Sequence, residues 1–352
     1  MTQTSELKLE LAPERRFQAI DITTHAEVRS LLRQHKRAMF CSFHTTAGYL
    51  DQSLSTRLHN QRDLLSEFFR AFHALFPEGA HYRHDQMHLR AELSDEQKAV
   101  EPPNGDSHLT FIGSGMKNCA TYRTVPGSPV YFIDLDGMSS VSRRQRKTTI
   151  LGFNRERVVA TMCVRVPVSK HPVDAVNLAD SRLGLIEAVN GMIRQTGLKY
   201  GRVDMVIHSS ERNVGLTVNE YETMLIKNDL VDVLRNPLKF ARSKTRHMIE
   251  DPRAIPGKTL SYARYDAVVI LNSLMEALRL DQSALERLIA KVMSLPARRF
   301  LKSRRVSFLA ACDGEHNSSQ LLRGTYQSPI LVQWQPAEKG TRHIDVTLTE
   351  LR

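Results

Sequence analysis

Ser128-Pro129-Val130-Tyr131-Phe132-Ile133-Asp134 and Ser328-Pro329-Ile330-Leu331-Val332-Gln333-Trp334 are two versions of one segment, a Ser-Pro step followed by a β-rich run. Proline suits the start of a strand, where no ladder donor is lost, and the apolar and aromatic residues after it favour a pleated, half-buried surface. Working outward, the similarity continues on both sides. Upstream, Phe17-Gln18-Ala19-Ile20-Asp21-Ile22-Thr23 leads to an amphipathic helix around Ala26 to Gln34 and then to the apolar strand Ala38 to Phe43, just before His44. The second half runs in the same order. A period-3.6 helix through Leu183, Ile186, Val189, Met192 and Ile193 precedes the strand Val203 to Ile207, which ends at His208-Ser209-Ser210. Leu109 to Gly115 and Val306 to Gly314 then read as matching short strands, each closed by a turn glycine, and each half ends in a basic turn and an alternating strand.

The pattern predicts an α+β chain of two tandem domains, 1–168 and 169–352, each a mixed β-sheet or sandwich with flanking helices. The boundary is set near Val166-Pro167-Val168-Ser169-Lys170-His171-Pro172, where two prolines punctuate the chain. Between about 236 and 305 the second domain carries a helical insertion, with apolar periodicity over Ala267 to Leu280 and Gln282 to Met293.

Composition narrows the function. A length of 352 residues with 41% hydrophobic residues is ample for two packed cores. No apolar run approaches the roughly 20 residues that cross a bilayer, and Met1 to Glu6 lacks a signal-peptide layout, so a cytoplasmic protein without membrane contact is expected. Cys41, Cys119, Cys163 and Cys312 form no CxxC pair and are expected as buried apolar residues. The net charge of +11 concentrates at Arg143 to Lys147 and at Arg298 to Arg305. Such patches attract anions, yet no zinc-finger, RNP-like or GXXG pattern accompanies them, which disfavours nucleic acid as partner. There is also no Walker loop, GxSxG elbow or Rossmann fingerprint.

Chemistry concentrates in His84-Asp85-Gln86-Met87-His88, where two imidazoles at helical spacing flank a carboxylate, with His44 upstream in Phe43-His44-Thr45-Thr46. Three histidines from two segments can hold a metal ion with an open coordination position, as catalytic sites do. A His pair on a solvated face is the plainer reading of the same spacing, and a relative of the HExxH metalloprotease helix is a further one, weakened by poor apolar periodicity before His84.

His44-Thr45-Thr46-Ala47-Gly48, Tyr82-Arg83-His84-Asp85 and Met87-His88-Leu89-Arg90 resemble the YjbQ family, whose members are described as secondary thiamine-phosphate synthase enzymes. The family's H-T-T/S-A, Y-x-H-D/N and A/S-H-I/L-K segments map onto His44, His84 and His88 as a divalent-metal site, zinc foremost. In the second half Leu216 to Glu222 is similar to the L-T-x-N-E-N segment, Arg323-Gly324-Thr325-Tyr326-Gln327 to the x-G-T-W-Q strand, and Gly340 to Leu348 to the closing strand. Each half keeps what the other lacks. The resemblance therefore points to one site assembled across the halves, with Asn219, Glu220 and Gln327 joining the histidines; the alternative is that both copies have eroded and Asn219-Glu220 merely caps a helix. Asp85 is expected as general base or as an orienting group, Thr45 and Thr46 as site hydroxyls, and Arg83, Arg323 and the Arg143 to Lys147 run as phosphate contacts. His208 and, more weakly, His247 are the corresponding candidates of the second half. The implied activity is metal-dependent chemistry on a phosphorylated small molecule, thiamine-phosphate synthase-like or hydrolytic, in a homo-oligomer. The alternative is a non-enzymatic basic module that binds nucleic acid or another polyanion.

Overall fold

A computed structural model of the chain describes residues 4–79, 82–90, 93–138, 143–169, 174–221, 303–312 and 318–352. The fold is mixed α+β, built from antiparallel sheets with few helices. The expected insertion over 236–305 and His247 lie almost wholly outside the described residues.

The first part contributes β1 (Ser5–Leu11), β2 (Gln18–Asp21), α1 (Ala26–Gln34), β3 (Arg37–Ser42) and β4 (Ala47–Gly48). Four helices follow: α2 (Gln52–Arg57), α3 (Arg62–Leu75), α4 (Asp95–Val100) and α5 (Gly105–Ser114), and then β5 (Cys119–Arg123), β6 (Tyr131–Asp134) and β7 (Arg146–Phe153). The second part contributes β8 (Glu156–Pro167), β9 (Asp174–Asn177), α6 (Leu185–Thr196), β10 (Tyr200–Ile207), β11 (Val214–Asn219), β12 (Arg305–Ala311), β13 (Gln320–Leu322), β14 (Ser328–Gln333) and β15 (Thr341–Leu351).

Strand order makes the internal similarity concrete. The larger sheet of the first part runs β1-β7-β3-β5, and that of the second runs β8-β15-β10-β12 with β13 added at the edge. The smaller sheets run β2-β6-β4 and β9-β14-β11. The strand orders of the two parts correspond, and α1 precedes β3 as α6 precedes β10. Each of these helices turns its periodic apolar stripe inward, Val28 and Leu31 in one, Leu185, Val189 and Ile193 in the other. β8 lies before the expected division at 168, yet it hydrogen-bonds along β15 in the second large sheet.

Two local expectations are corrected. Leu109 to Gly115 is the end of helix α5, closed by Gly115 in the left-handed conformation, rather than a strand. Nearly every residue of α5 is buried, so the helix lacks the polar face from which a period could be read. The strand that pairs with β3, as β12 pairs with β10, is β5. Among the cysteines, Cys41 and Cys119 are buried as expected, whereas Cys163 and Cys312 are exposed.

The two large sheets meet face to face through Met39, Cys41, Cys119, Leu151 and Phe153 on one side and Leu309, Ala311 and Leu351 on the other. Polar ties cross the same seam: Asn118 Nδ2 donates to the Ser307 carbonyl at 3.0 Å, and Tyr200 donates to Glu6 at 3.0 Å. At its end the turn before β14 presses Gly324 onto the Phe43 carbonyl, and a Cβ at 324 would overlap that oxygen. Gly324→Ala is therefore expected to lower unfolding free energy by about 1–3 kcal/mol, the usual cost of overpacking, in chemical denaturation. Gly191→Ala, in α6 with open space around the added methyl, serves as the contrast and is expected to be neutral or to stabilise by up to ~1 kcal/mol.

Candidate active site

The Tyr82 to Arg90 segment folds as two successive 3-10 turns, Arg83–Asp85 and Met87–Leu89. That geometry separates the two histidines a regular helix would align. His84 points inward and is 1% exposed, whereas His88 lies on the exposed side. The partner that joins His84 is His108, in the first turns of α5, with ring centroids 4.7 Å apart. Glu220, which follows β11, completes the group: the ligating atoms of His84, His108 and Glu220 all lie within 4.8 Å of one another. The Glu220 carboxylate is 3.9 Å from His84 Nε2 and 3.7 Å from His108 Nε2.

Both imidazoles are oriented from behind. His84 Nδ1 donates to Asp85 Oδ1 at 3.0 Å, and the same oxygen accepts the backbone amides of Asn104 and Gly105 at the start of α5. Asp85 thus fastens one histidine to the helix that carries the other, and its carboxyl is held below the usual range: burial opposes this, and the His84 contact and the two amides outweigh it. His108 Nδ1 lies 2.7 Å from Asn219 Oδ1. Because that oxygen also accepts the Glu220 amide at 2.8 Å, it is the carbonyl side of the amide group, and His108 Nδ1 carries the proton. Each ring therefore turns Nε2 toward Glu220. His108 Nε2 is buried and makes no hydrogen bond among the described residues.

Electrostatics follows from burial plus this geometry. Burial alone would lower the His84 pKa, but the Asp85 and Glu220 carboxylates raise it to about 9. Burial, reinforced by His84 and partly offset by Glu220, lowers His108 to about 4. Burial would raise Glu220, yet His108, His84 and the Thr45 hydroxyl bring it to about 2. Thr45 Oγ1 donates to Glu220 Oε1 at 2.9 Å, and Arg90 stands 3.6 Å from the other oxygen. The donor set, two imidazole nitrogens and a carboxylate with both rings oriented by oxygen acceptors, is one that could hold a metal ion. Tetrahedral ligands about 2 Å from one ion stand roughly 3.3 Å apart, so the group, whose ligand atoms lie within 4.8 Å of one another, would have to draw in to bind one.

Through Glu220 the group borders a cleft of about 270 Å³, lined by residues of both parts, among them His44, Thr45, Thr46, Arg90, Arg144, Arg146 and Tyr326, while His84 and His108 lie behind it. Arg146 is buried and paired with Asp134 at 2.6 Å, and it reaches Thr46 Oγ1 at 3.3 Å; Arg144 is paired with Asp136 at 2.8 Å and Glu101 at 3.1 Å.

The metal set read from sequence, His44, His84 and His88, is thus not the set gathered in space. His44 lines the cleft, but its Nε2 accepts the Lys147 amide at 2.9 Å, which occupies the lone pair a ligand would need. Asn219 and Glu220 are in the centre, Thr45 and Thr46 at its edge. Gln327 turns instead to backbone, donating to the Ser42 and His44 carbonyls, and Arg323 donates to the Gln327 carbonyl. The Arg83 side chain lies outside those described. His208 bonds to Ser210 and faces His343, which pairs with Glu211, so its surroundings are local. Of the second basic run, Arg304 donates to backbone carbonyls and Arg305 pairs with Asp204, while 298–302 are outside the described residues. The residue missed is His108. Its signal was present: Ser107-His108-Leu109 satisfies an A/S-H-I/L pattern better than Met87-His88-Leu89, but reading the segment as a strand hid it.

The chain matches no protein-family model and no curated protein. Among solved structures, a YbjQ-like protein of unknown function from Sulfolobus solfataricus P2 is 15% identical, with 56% of this chain and 99% of that one covered at a TM-score of 0.32. A hypothetical protein from Aeropyrum pernix K1 is 13% identical, over 53% and 96% of the two chains, at 0.30. An uncharacterized protein of the YjbQ/UPF0047 family from Clostridium acetobutylicum is 19% identical, over 41% and 97%, at 0.24.

Burial, aided by Arg146 and Arg144, lowers the His44 pKa to about 3. The fold holds this ring neutral, so its contribution to stability is complete above the unfolded value of about 6.5 and is lost as pH falls toward 3. His44→Gln is expected to flatten part of the acid-side fall of Tm across that window, measured by thermal melts at a series of pH values.

Proposed function

We propose that the chain is a tandem duplication of a YjbQ-like unit, whose two halves build one metal-dependent catalytic centre for a phosphorylated small molecule. The repeated strand order supports the duplication, and the His84, His108 and Glu220 group at the seam carries the rest. Two ligands come from the first half and one from the second, so neither half alone is competent. The cleft is near the lower size of small-molecule sites, which favours a metabolite over a polymer.

A divalent ion, zinc foremost, would supply Lewis acidity, neutralising a phosphoryl oxygen or bringing a bound water toward pKa about 7. The chain's own groups do the rest. Asp85 and Asn219 fix the two imidazoles; Asp85, with its Oδ1 already accepting from His84 and two amides, is an orienting group rather than a base. Arg90, Arg144 and Arg146 line the cleft where phosphate oxygens would lie, and guanidinium groups suit that geometry. Neutral His44 and Thr46 add polar contacts beside them. Both a thiamine-phosphate synthase-like transfer, which the family resemblance implies, and a phosphate-ester hydrolysis use this set. No helix among the described residues is long and apolar enough to cross a membrane. A homo-oligomer remains part of the proposal, from the resemblance alone.

Metal analysis of the purified chain is expected to give about one divalent ion per chain. His108→Ala should abolish the binding, while His88→Ala and His208→Ala leave it intact. Retention of the ion in His108→Ala, or its loss in His88→Ala, would refute the assignment.

A further inference from the structure

The loop that joins β3 to β4, Phe43 to Thr46, carries Thr45 against Glu220, and the second half holds that loop at two places. At one, Asn219 Nδ2 donates to the Thr45 carbonyl at 3.5 Å and Glu220 accepts the Thr45 hydroxyl at 2.9 Å. At the other, Gln327 reaches in from the turn before β14. Its Nε2 donates to the Ser42 carbonyl at 3.0 Å and the His44 carbonyl at 2.9 Å, and its Oε1 accepts the Gly324 amide at 3.0 Å. The side chain is 1% exposed and is absent from the cleft lining, so it reaches no substrate. Three hydrogen bonds satisfy a buried amide whose removal would take this donor from two carbonyls at once.

We infer that Gln327 is a positioning residue of the centre: it sets the curve of the 43–46 loop, through it the Thr45 hydroxyl, and through that hydroxyl the direction of the Glu220 carboxylate. The inference rests on the reading of His84, His108 and Glu220 as metal ligands. A circuit results in which the second half supplies both the carboxylate and, by way of the first half's loop, the contact that aims it. Oxygen Oε1 of Glu220 is held by Thr45, and the coupling therefore passes between halves twice. By linkage, anything that loosens the Gln327 turn weakens ion binding, and ion binding tightens that turn by the same factor.

The test is cobalt(II) titration of the full chain, read by its d–d absorption, with Gln327→Met, Thr45→Val and the double variant. Groups that orient metal ligands typically change affinity by about 10–100-fold, and that is the loss expected for Gln327→Met. Because Gln327 acts through Thr45, the double variant should bind no more weakly than the weaker single variant. Gln327→Glu keeps the shape and the Gly324 contact but puts oxygen against two carbonyls; it should lose affinity alike and stands in if Gln327→Met does not fold. Unchanged cobalt affinity and spectrum in both Gln327 variants, or additive losses in the double variant, would overturn the inference while leaving the metal centre standing. Failure of the unaltered chain to bind cobalt at His84, His108 and Glu220 would overturn both.

Discussion

A carboxylate withdrawn from water needs partners, and Glu220 finds four of them on the other half of the molecule. Thr45, His84, Arg90 and His108 come from three separate stretches of the first half, and each contributes a proton, a positive charge or a polarisable nitrogen to one acid from the second. Burying an unpaired charge costs several kcal/mol, so the halves are bound to dock in the one arrangement that satisfies it. The apolar seam through Met39, Leu151, Phe153, Leu309 and Leu351 supplies the attraction, but apolar contact alone is tolerant of small slips. The acid removes that tolerance.

The same economy explains why α5 is so thoroughly buried. Its amino end is tied by Asp85 to the His84 turn, its first turns carry His108, and its length packs under the small sheet, with Phe111 among Leu50, Leu65, Phe69, Ile133 and Leu135. The histidine is thus mounted on a rigid rod set in the core. A rigid mount is what a centre needs when its ligands arrive from two halves, because only one side can afford to adjust.

Much of the architecture was legible in the chain itself. The alternation in β8 and β15, the Ser-Pro step that opens β14 and the 3.6 period of α1 and α6 are local signals, and each element formed where its pattern lay. Asn219 and Glu220 stood out through the resemblance of their segment. What stayed hidden was hidden for physical reasons. α5 has no solvated face, so periodicity could not distinguish it from a strand. His84 and His88 stand at helical spacing, but successive 3-10 turns set one inward and one outward. His44 lost its ligand capacity to a backbone amide of Lys147, more than a hundred residues away, and no local pattern announces such a bond.

The position of β15 bears on how the chain is born. This strand lies between β8 and β10 in the five-stranded sheet, and both neighbours leave the ribosome well before it. Until β15 arrives, β8 has no partner strand among the described residues and the sheet stands split in two, whereas the first half's described strands are all present as soon as β7 emerges. A nascent chain of this kind carries a paired first sheet and an open second one until β15 is made, the interval in which an unpaired strand edge most needs a chaperone.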